Sequence, residues 1–301
     1  MFASILTTIF FSFSAILANR SIAAVGSTRA NLGRLVVAFV CLGAMAHGFG
    51  GGMGGAGRNG FLLSGVIGMG LGDLALFAAL PRLGSRLTVL MCQCVAVPIA
   101  MQAEWMWMDT RLAPLQMAWA AVILIGVTVA LMPSPRHPPK VPITRVGFLC
   151  GFLAAAGQGL GAVLSRHAYQ VSAAAGLEVD GITAAYQRIT GGLLITGGFF
   201  LVRHFLTRET PPTGKCNHNG YTWRGAAFVV GNGLCGPVIG VSCYQWALAG
   251  TPSGIVLPIV ATTPLVIIPL SYWIEGDRPT ARSMVGGLIA VTGVVALTLV
   301  G

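Results

Sequence analysis

Asp73 is the one carboxylate that falls well inside an apolar run of this chain, about thirteen residues into it. An ionised group there is costly without a partner or water, so the position marks either a site or a structural pair. Its chemistry would be proton or cation coupling, or recognition of a positive group on a solute; the structural alternative is a carboxylate bonded to a neighbouring hydroxyl or Arg. Gln93, Gln158 and Asn232 are neutral amides in equally apolar surroundings and need hydrogen-bond partners, from another helix or from a bound molecule. Tyr244 offers a ring for stacking, whereas Trp246 near a run's end suits an interfacial anchor. Pro258, Pro264 and Pro269 interrupt one run, with Thr262 and Thr263 placed to satisfy the carbonyls they free, so a bent or discontinuous helix is expected there. Pro98 is a kink candidate in an earlier run, and with Pro258 and Pro264 it forms the expected gating set. Arg34 and Arg188 read as helix-end cations that snorkel to the interface, and Glu104, Asp109 and Glu275, beside Trp105, Trp107 and Trp273, as interfacial turn residues.

These residues require a scaffold of membrane spans. Of 301 residues, 55% are apolar and 9% charged, with a mean hydropathy of +0.80, against roughly 25% charged in a soluble domain. That excludes an ordinary soluble enzyme. Ten apolar runs can be marked: Met1 to Ala18, Leu32 to Ala46, Phe61 to Leu80, Leu87 to Met106 and Leu115 to Met132, then Val146 to Leu164, Ile182 to Leu201, Ala226 to Leu248, Ser253 to Ile274 and Ser283 to Val300. Each is long enough, or nearly so, to cross a bilayer as a helix. Residues 133–145 contain four prolines in eight positions and form a connector between a first unit, 1–132, and a second, 146–301. The opening run lacks a cationic segment before it, so it reads as a span rather than a leader.

The two units repeat. Gly65, Gly68, Gly72, Ala75 and Ala79 return as Gly233, Gly236, Gly240, Cys243 and Ala247, each 168 positions on. At helical spacing these small residues fall on one face, which admits a neighbouring backbone closely. Pro98, Trp107 and Asp109 return 166 positions on as Pro264, Trp273 and Glu275, and Arg34 and Arg188 open the second and seventh spans. Asp73 has no acidic counterpart: 73 + 168 is Val241. Because five is odd, the second copy must enter the membrane in the opposite sense, which predicts an all-α polytopic protein of ten transmembrane helices in two inverted five-helix repeats around a central cavity.

The segments AlaLeuProArgLeuGlySer (79–85), Pro98, TrpMetAsp (107–109), TyrGlnTrpAlaLeu (244–248), Pro264 and TrpIleGlu (273–275) resemble the drug/metabolite transporter superfamily, in its EamA-type branch of ten helices. The resemblance covers nearly the whole chain. It implies a carrier of amino acids, other metabolites, sugar nucleotides or drugs, with helices one, three, four and their repeat mates on the pathway, and Asp109 stands where the family usually has Glu.

The function expected is a secondary carrier, an exporter of a small organic metabolite such as an amino acid or related compound, working by alternating access with a proton or cation as possible co-solute. A non-transporting scaffold or lipid-handling protein is the alternative. No cofactor, no catalytic residue and no metal site is expected: the chain has no GlyXaaXaaXaaXaaGlyLys phosphate loop, no HisGluXaaXaaHis, and neither SerXaaXaaLys nor GlyXaaSerXaaGly. Cys216 and His218 sit in a polar loop and do not make a site, and the other six cysteines read as small apolar residues. The 18 Lys and Arg against eight Asp and Glu are scattered singly between spans, which suits the positive-inside rule and not nucleic acid. Fourteen cations fall after spans one, three, five, seven and nine, which places both termini outside the cytoplasm; the family resemblance implies both inside. The expected location is integral and multi-pass, in the plasma (inner) membrane for a bacterium.

Overall fold

A computed structural model describes residues 1–132, 143–206, 223–275 and 280–300. Within them the chain forms ten long helices: α1 (Phe2–Val25), α2 (Ser27–Phe49), α3 (Arg58–Leu83), α4 (Ser85–Met108), α5 (Pro114–Leu131), α6 (Arg145–Ala174), α7 (Gly181–Leu206), α8 (Trp223–Gly250), α9 in two pieces (Ser253–Val260 and Thr263–Glu275), and α10 (Ala281–Val300). Nine of these regions are long and apolar enough to cross a membrane. The helix outside that set is α7, whose apolar run is broken by the adjacent Gln187 and Arg188. Both are buried. The Pro-rich connector lies mostly outside the described residues, as do Cys216 and His218 and the side chains of Trp273 and Glu275.

Several helices run further than their apolar cores. α6 continues ten residues past Leu164, to Ala174, because Ser165 and Ser172 are buried against other helices rather than exposed at an interface. Thr144 caps its start, accepting a hydrogen bond from Gly147 N at 3.1 Å. Single glycines make the sharpest joints: Gly26 between α1 and α2 and Gly84 between α3 and α4 have φ of 84° and 77°. An L side chain is strained there, and glycine is not. Asp109 ends α4 in the left-handed region at φ 48°, a conformation Asp tolerates better than most residues. It is exposed and lies 3.6 Å from Arg111.

Consecutive helices alternate in direction. The rim where α1 begins therefore also holds the end of α4 and of α6, and the α8–α9 joint. Contacts cross between the two units in matching pairs: α1 packs on α8 and α9, while α6 packs on α3 and α4; α2 packs on α7, and α5 on α10. The α5–α10 crossing is close because a Cβ on Gly126 would meet the backbone of Gly286 and Ala290, and one on Gly286 the backbone of Gly126 and Ala130. Small residues at such a crossing let dispersion contacts and Cα–H···O contacts replace the hydrophobic drive that lipid cannot provide.

The glycine stripe is not a regular α-helical face. α3 passes through a π-helical segment at Val66–Gly72, and α8 through another at Leu234–Gly240. Both ends of the second lie 168 positions after those of the first, the offset of the glycines. Such wide turns shift the helical register and recur at functional sites. Each stripe admits a helix from the other unit. A Cβ on Gly65 would collide with the carbonyl of Arg188 in α7, and one on Gly72 would come within 3.4 Å of Gly157 in α6. In the mirror position a Cβ on Gly233 would lie 3.1 Å from the carbonyl of Arg34 in α2 and one on Gly240 would press on Phe11 in α1.

Candidate functional site

A cavity of about 340 Å³ lies among the helices, and every helix except α5 and α10 contributes to its wall. The two π-helical segments line it through Gly68, Met69 and Gly72 on one side and Gly236 and Pro237 on the other. Its inner part is walled by Arg188 and Tyr244. From there the lining extends to Ala18, Arg34, Leu76, Val89 and Ile267, toward the rim opposite the start of α1. Its volume is at the low end of the range for small-molecule pockets.

Three charged side chains reach this wall: Arg34, Asp73 and Arg188. Asp73, the residue that follows the first π segment, accepts a hydrogen bond from Arg34 Nη2 at 2.9 Å. Arg34 Nε in turn donates to Asn31 Oδ1 at 2.8 Å. The carboxylate therefore has the Arg partner that a structural role calls for and still borders the cavity. Arg34 does not snorkel, because it is spent on this pair. Arg188 departs further from the helix-end expectation. It is 5% exposed, donates to Ser165 Oγ at 3.2 Å and to Gln245 Oε1 at 3.4 Å, and stands over the Tyr244 ring at 5.4 Å. No carboxylate among the described residues lies within ion-pair distance of it.

The amides divide. Gln93 and Gln158 both line the cavity and are bonded to one another, Gln158 Nε2 donating to Gln93 Oε1 at 2.9 Å, while Cys92 Sγ donates to Gln158 Oε1 at 3.0 Å. Asn232 is off the wall. Its Oδ1 accepts from Ser14 Oγ at 2.6 Å, so it buttresses a lining residue of α1 from behind. Tyr244 is on the wall, and Trp246 faces outward, edge-on to Phe2.

α9 is discontinuous at Ala261–Thr262, as its prolines require. Thr262 Oγ1 and Thr263 Oγ1 donate at 2.6 Å to the carbonyls of Ile259 and Val260, the second of which loses its helical N–H donor at Pro264. Thr263 and Pro264 reach the cavity, whereas Thr262 and Pro258 are buried in the packing beside it. Pro98 lies on the exposed face of α4, and that helix continues through it.

Toward the rim where α1 begins, outside the cavity lining, lies a buried polar cluster whose carboxylate, Glu104, sequence reasoning assigned to the interface. Glu104 is 3% exposed and is no turn residue. One of its oxygens, Oε2, accepts from Ser253 N at 2.8 Å and from Ser253 Oγ, and the other forms an ion pair with Arg166. Arg166 also donates to Leu248 O at 3.3 Å. Four elements thus converge on one carboxylate: α4, α6, the end of α8 and the start of α9. A negative charge at the first N–H of α9 is favoured by the helix dipole as well. Beside the cluster, Phe61 and Tyr169 meet edge to face in a largely apolar group with Leu248 and Val256. Arg188 could have been suspected from sequence, since its repeat mate Arg34 has an acid to meet and it has none. The Glu104 cluster left no such trace.

A bundle of ten membrane-length helices around a cavity of mostly apolar lining, into which three charged side chains reach, is the build of a multi-pass membrane transporter. A model of the EamA-like transporter family matches residues 145–299, just over half of the chain. The chain belongs to that family, and is an integral membrane protein of the drug/metabolite transporter type. A solved crystal structure, described simply as that of a protein, is similar over 99% of this chain and 96% of its own, with a TM-score of 0.74 and 18% identity, which establishes a shared fold. Curated proteins give no match.

Proposed function

We propose that the protein is a secondary carrier that exports a small organic metabolite, an amino acid or related compound, by alternating access between two inverted repeats. The observation that carries this reading is the cavity: it is walled by both π-helical segments at repeat-equivalent positions, and its lining extends toward the rim opposite the start of α1, while the buried Glu104 cluster lies on the other side. Exchange of contacts between α1–α5 and α6–α10 supports an inverted pair, because the main contacts of one unit, α1 with α8 and α9, have their counterparts in those of the other, α6 with α3 and α4. Leaving out Arg34, which is spent on Asp73, thirteen of the eighteen cations follow spans one, three, five, seven and nine in the sequence, on the side toward which the cavity extends, so by the positive-inside rule it faces the cytoplasm. An exporter loads from that side. Asp73, tied to Arg34 yet bordering the cavity, is the candidate for a proton or cation coupled to the solute, since protonation would free Arg34.

The test is flux in reconstituted vesicles with labelled amino acids and other small metabolites. A carrier gives saturable uptake and counterflow when unlabelled solute is trapped inside. Linear uptake without counterflow for every solute tried would overturn the reading in favour of a scaffold or lipid-handling role.

A further inference from the structure

We infer that Arg188 is the binding group for a carboxylate on the transported solute, an inference that rests on the carrier reading above. Arg34 and Arg188 occupy equivalent places, near the start of the second helix of each unit, and each has its backbone carbonyl against a glycine of the other unit's stripe, Gly233 and Gly65. Arg34 finds Asp73 across the gap. The residue equivalent to Asp73 is Val241, which also lines the cavity and shares a packing cluster with Ile189, the neighbour of Arg188. One unit therefore contains guanidinium and carboxylate, and the other contains a guanidinium whose carboxylate position is held by a methyl-bearing side chain.

The consequences for Arg188 are physical. Its guanidinium is buried, its Nη1 meets only neutral acceptors, and its Nε has no hydrogen-bond partner. Gln245 Nε2 next to it is also without one. A buried, unpaired charge at membrane depth is expensive and persists where it serves a ligand. Asp73 is paired directly with Arg34 and reaches Arg188 only through space, so the three charged groups on the wall sum to one positive charge. The glycines confirm that space is kept for this side chain: a Cβ on Gly68 would lie 2.9 Å from Arg188 Nη2 and one on Gly161 3.3 Å from it. A planar guanidinium with free donors in a small cavity is suited to a carboxylate through paired, charge-assisted hydrogen bonds. The Tyr244 ring under it, with Phe11 tilted against that ring, gives the remainder of the solute an aromatic wall.

The experiment is thermal unfolding of the purified full-length protein in detergent, with hexanoate, 3-phenylpropanoate and leucine, each compared with its own amide. Stabilisation by at least one acid in excess of its amide is expected for the wild type. Arg188→Gln should weaken that acid's binding roughly tenfold to hundredfold, the loss of a charged hydrogen-bonding partner. Val241→Asp puts an acid where the second unit lacks one: it should unfold no earlier than wild type and should no longer respond to carboxylates. Equal stabilisation by acids and amides across the panel, an acid response that survives in Val241→Asp, or a Val241→Asp protein that does not fold would each overturn the inference, the last because the new carboxylate has then found no partner. Flux separates the two readings. Carboxylate binding that depends on Arg188 without saturable transport would sink the carrier proposal alone, and saturable transport of solutes whose binding ignores Arg188 would sink this one alone.

Discussion

Glu104 offers the sharpest test of how the rim where α1 begins is held shut. Replacing it by Gln keeps an oxygen for Ser253 but removes the charge that Arg166 faces. Arg166, whose side chain is 15% exposed, would retain one neutral acceptor, Leu248 O. Removing one member of a buried ion pair costs about 3–5 kcal/mol, mostly the penalty of the charge left behind. We expect about 3 kcal/mol for Glu104→Gln and a similar cost for Arg166→Met, which leaves the carboxylate with its two Ser253 bonds but no counterion. The double variant strands no charge, so its cost should fall below the sum of the singles by at least about 1.5 kcal/mol, within the range for groups in direct contact. Equilibrium unfolding in mixed micelles of increasing SDS content reads all four corners of the cycle. Because the contact holds α4 and α6 to the α8–α9 joint, weakening it by about 3 kcal/mol also shifts a two-state equilibrium by roughly 150-fold toward opening at that rim. A cysteine placed at Ala168, 1% exposed and two residues from Arg166, packed against Gly57 and Gly60 at that rim, in a background without the native cysteines, should then label faster with an impermeant maleimide in Glu104→Gln. Additive single costs together with unchanged labelling would refute the idea that this cluster holds the rim shut.

Other consequences are simpler to measure. Asp73→Asn should insert and fold but lose the pH dependence of uptake, since the titratable group is gone; a pH profile identical to wild type eliminates Asp73 as the coupling group. Gly65→Ala should destabilise by roughly 3 kcal/mol or more, at or above the top of the usual range for overpacking, because the new methyl meets the carbonyl of Arg188 and backbone cannot swing aside. Gly197→Ala, where a Cβ meets nothing within 4 Å, is the matched control and should be neutral or slightly stabilising in the same assay. Gln158→Leu, which strips Gln93 and Cys92 of a shared partner, should cost about 1–3 kcal/mol, and a flux defect larger than the stability loss explains would add a solute contact to its structural role.

What the sequence made legible were features repeated over many residues: the apolar runs, the glycine stripes at a constant offset of 168, the proline break in α9. Isolated charges were legible only where they fell far from any apparent boundary. Asp73 did. Arg188, Glu104 and Arg166 did not: Arg188 and Glu104 lie within two turns of a helix end, where a charge reads as interfacial, and Arg166 lies beyond an apolar run drawn shorter than its helix. Arg166 is the clearest instance: the sixth run seems to stop at Leu164, yet α6 continues to Ala174. Polar residues satisfied by other helices do not end a span, and hydropathy cannot distinguish them from those that do. The π-helical segments escaped for a different reason. A single wide turn changes which residue faces which neighbour without changing the local composition, so the stripe read as an ordinary 100° face.

The same comparison explains why symmetry in the scaffold is most useful where it fails. The glycine offsets, the paired contacts and the two π segments impose matching surroundings on Arg34 and Arg188, so any chemical difference between those surroundings must come from side chains that are not repeated. Asp73 against Val241 is the one such difference in charge, beside Leu76 against Tyr244 and Phe77 against Gln245. A carrier whose two units were chemically identical would present a cavity neutral on both sides, with nothing to orient an asymmetric solute. Here one side is internally paired and the other is left with a guanidinium, so a solute with one charged end has only one way to lie. Making the second side match the first, through Val241→Asp, should therefore remove orientation along with affinity. Making the first side match the second, through Asp73→Val, should create a second unpaired guanidinium and let a carboxylate bind at either end. Competition between two carboxylates of different length in the Asp73→Val protein should then depart from a single-site curve, and strict single-site competition would show that Arg34 and Arg188 are not interchangeable after all.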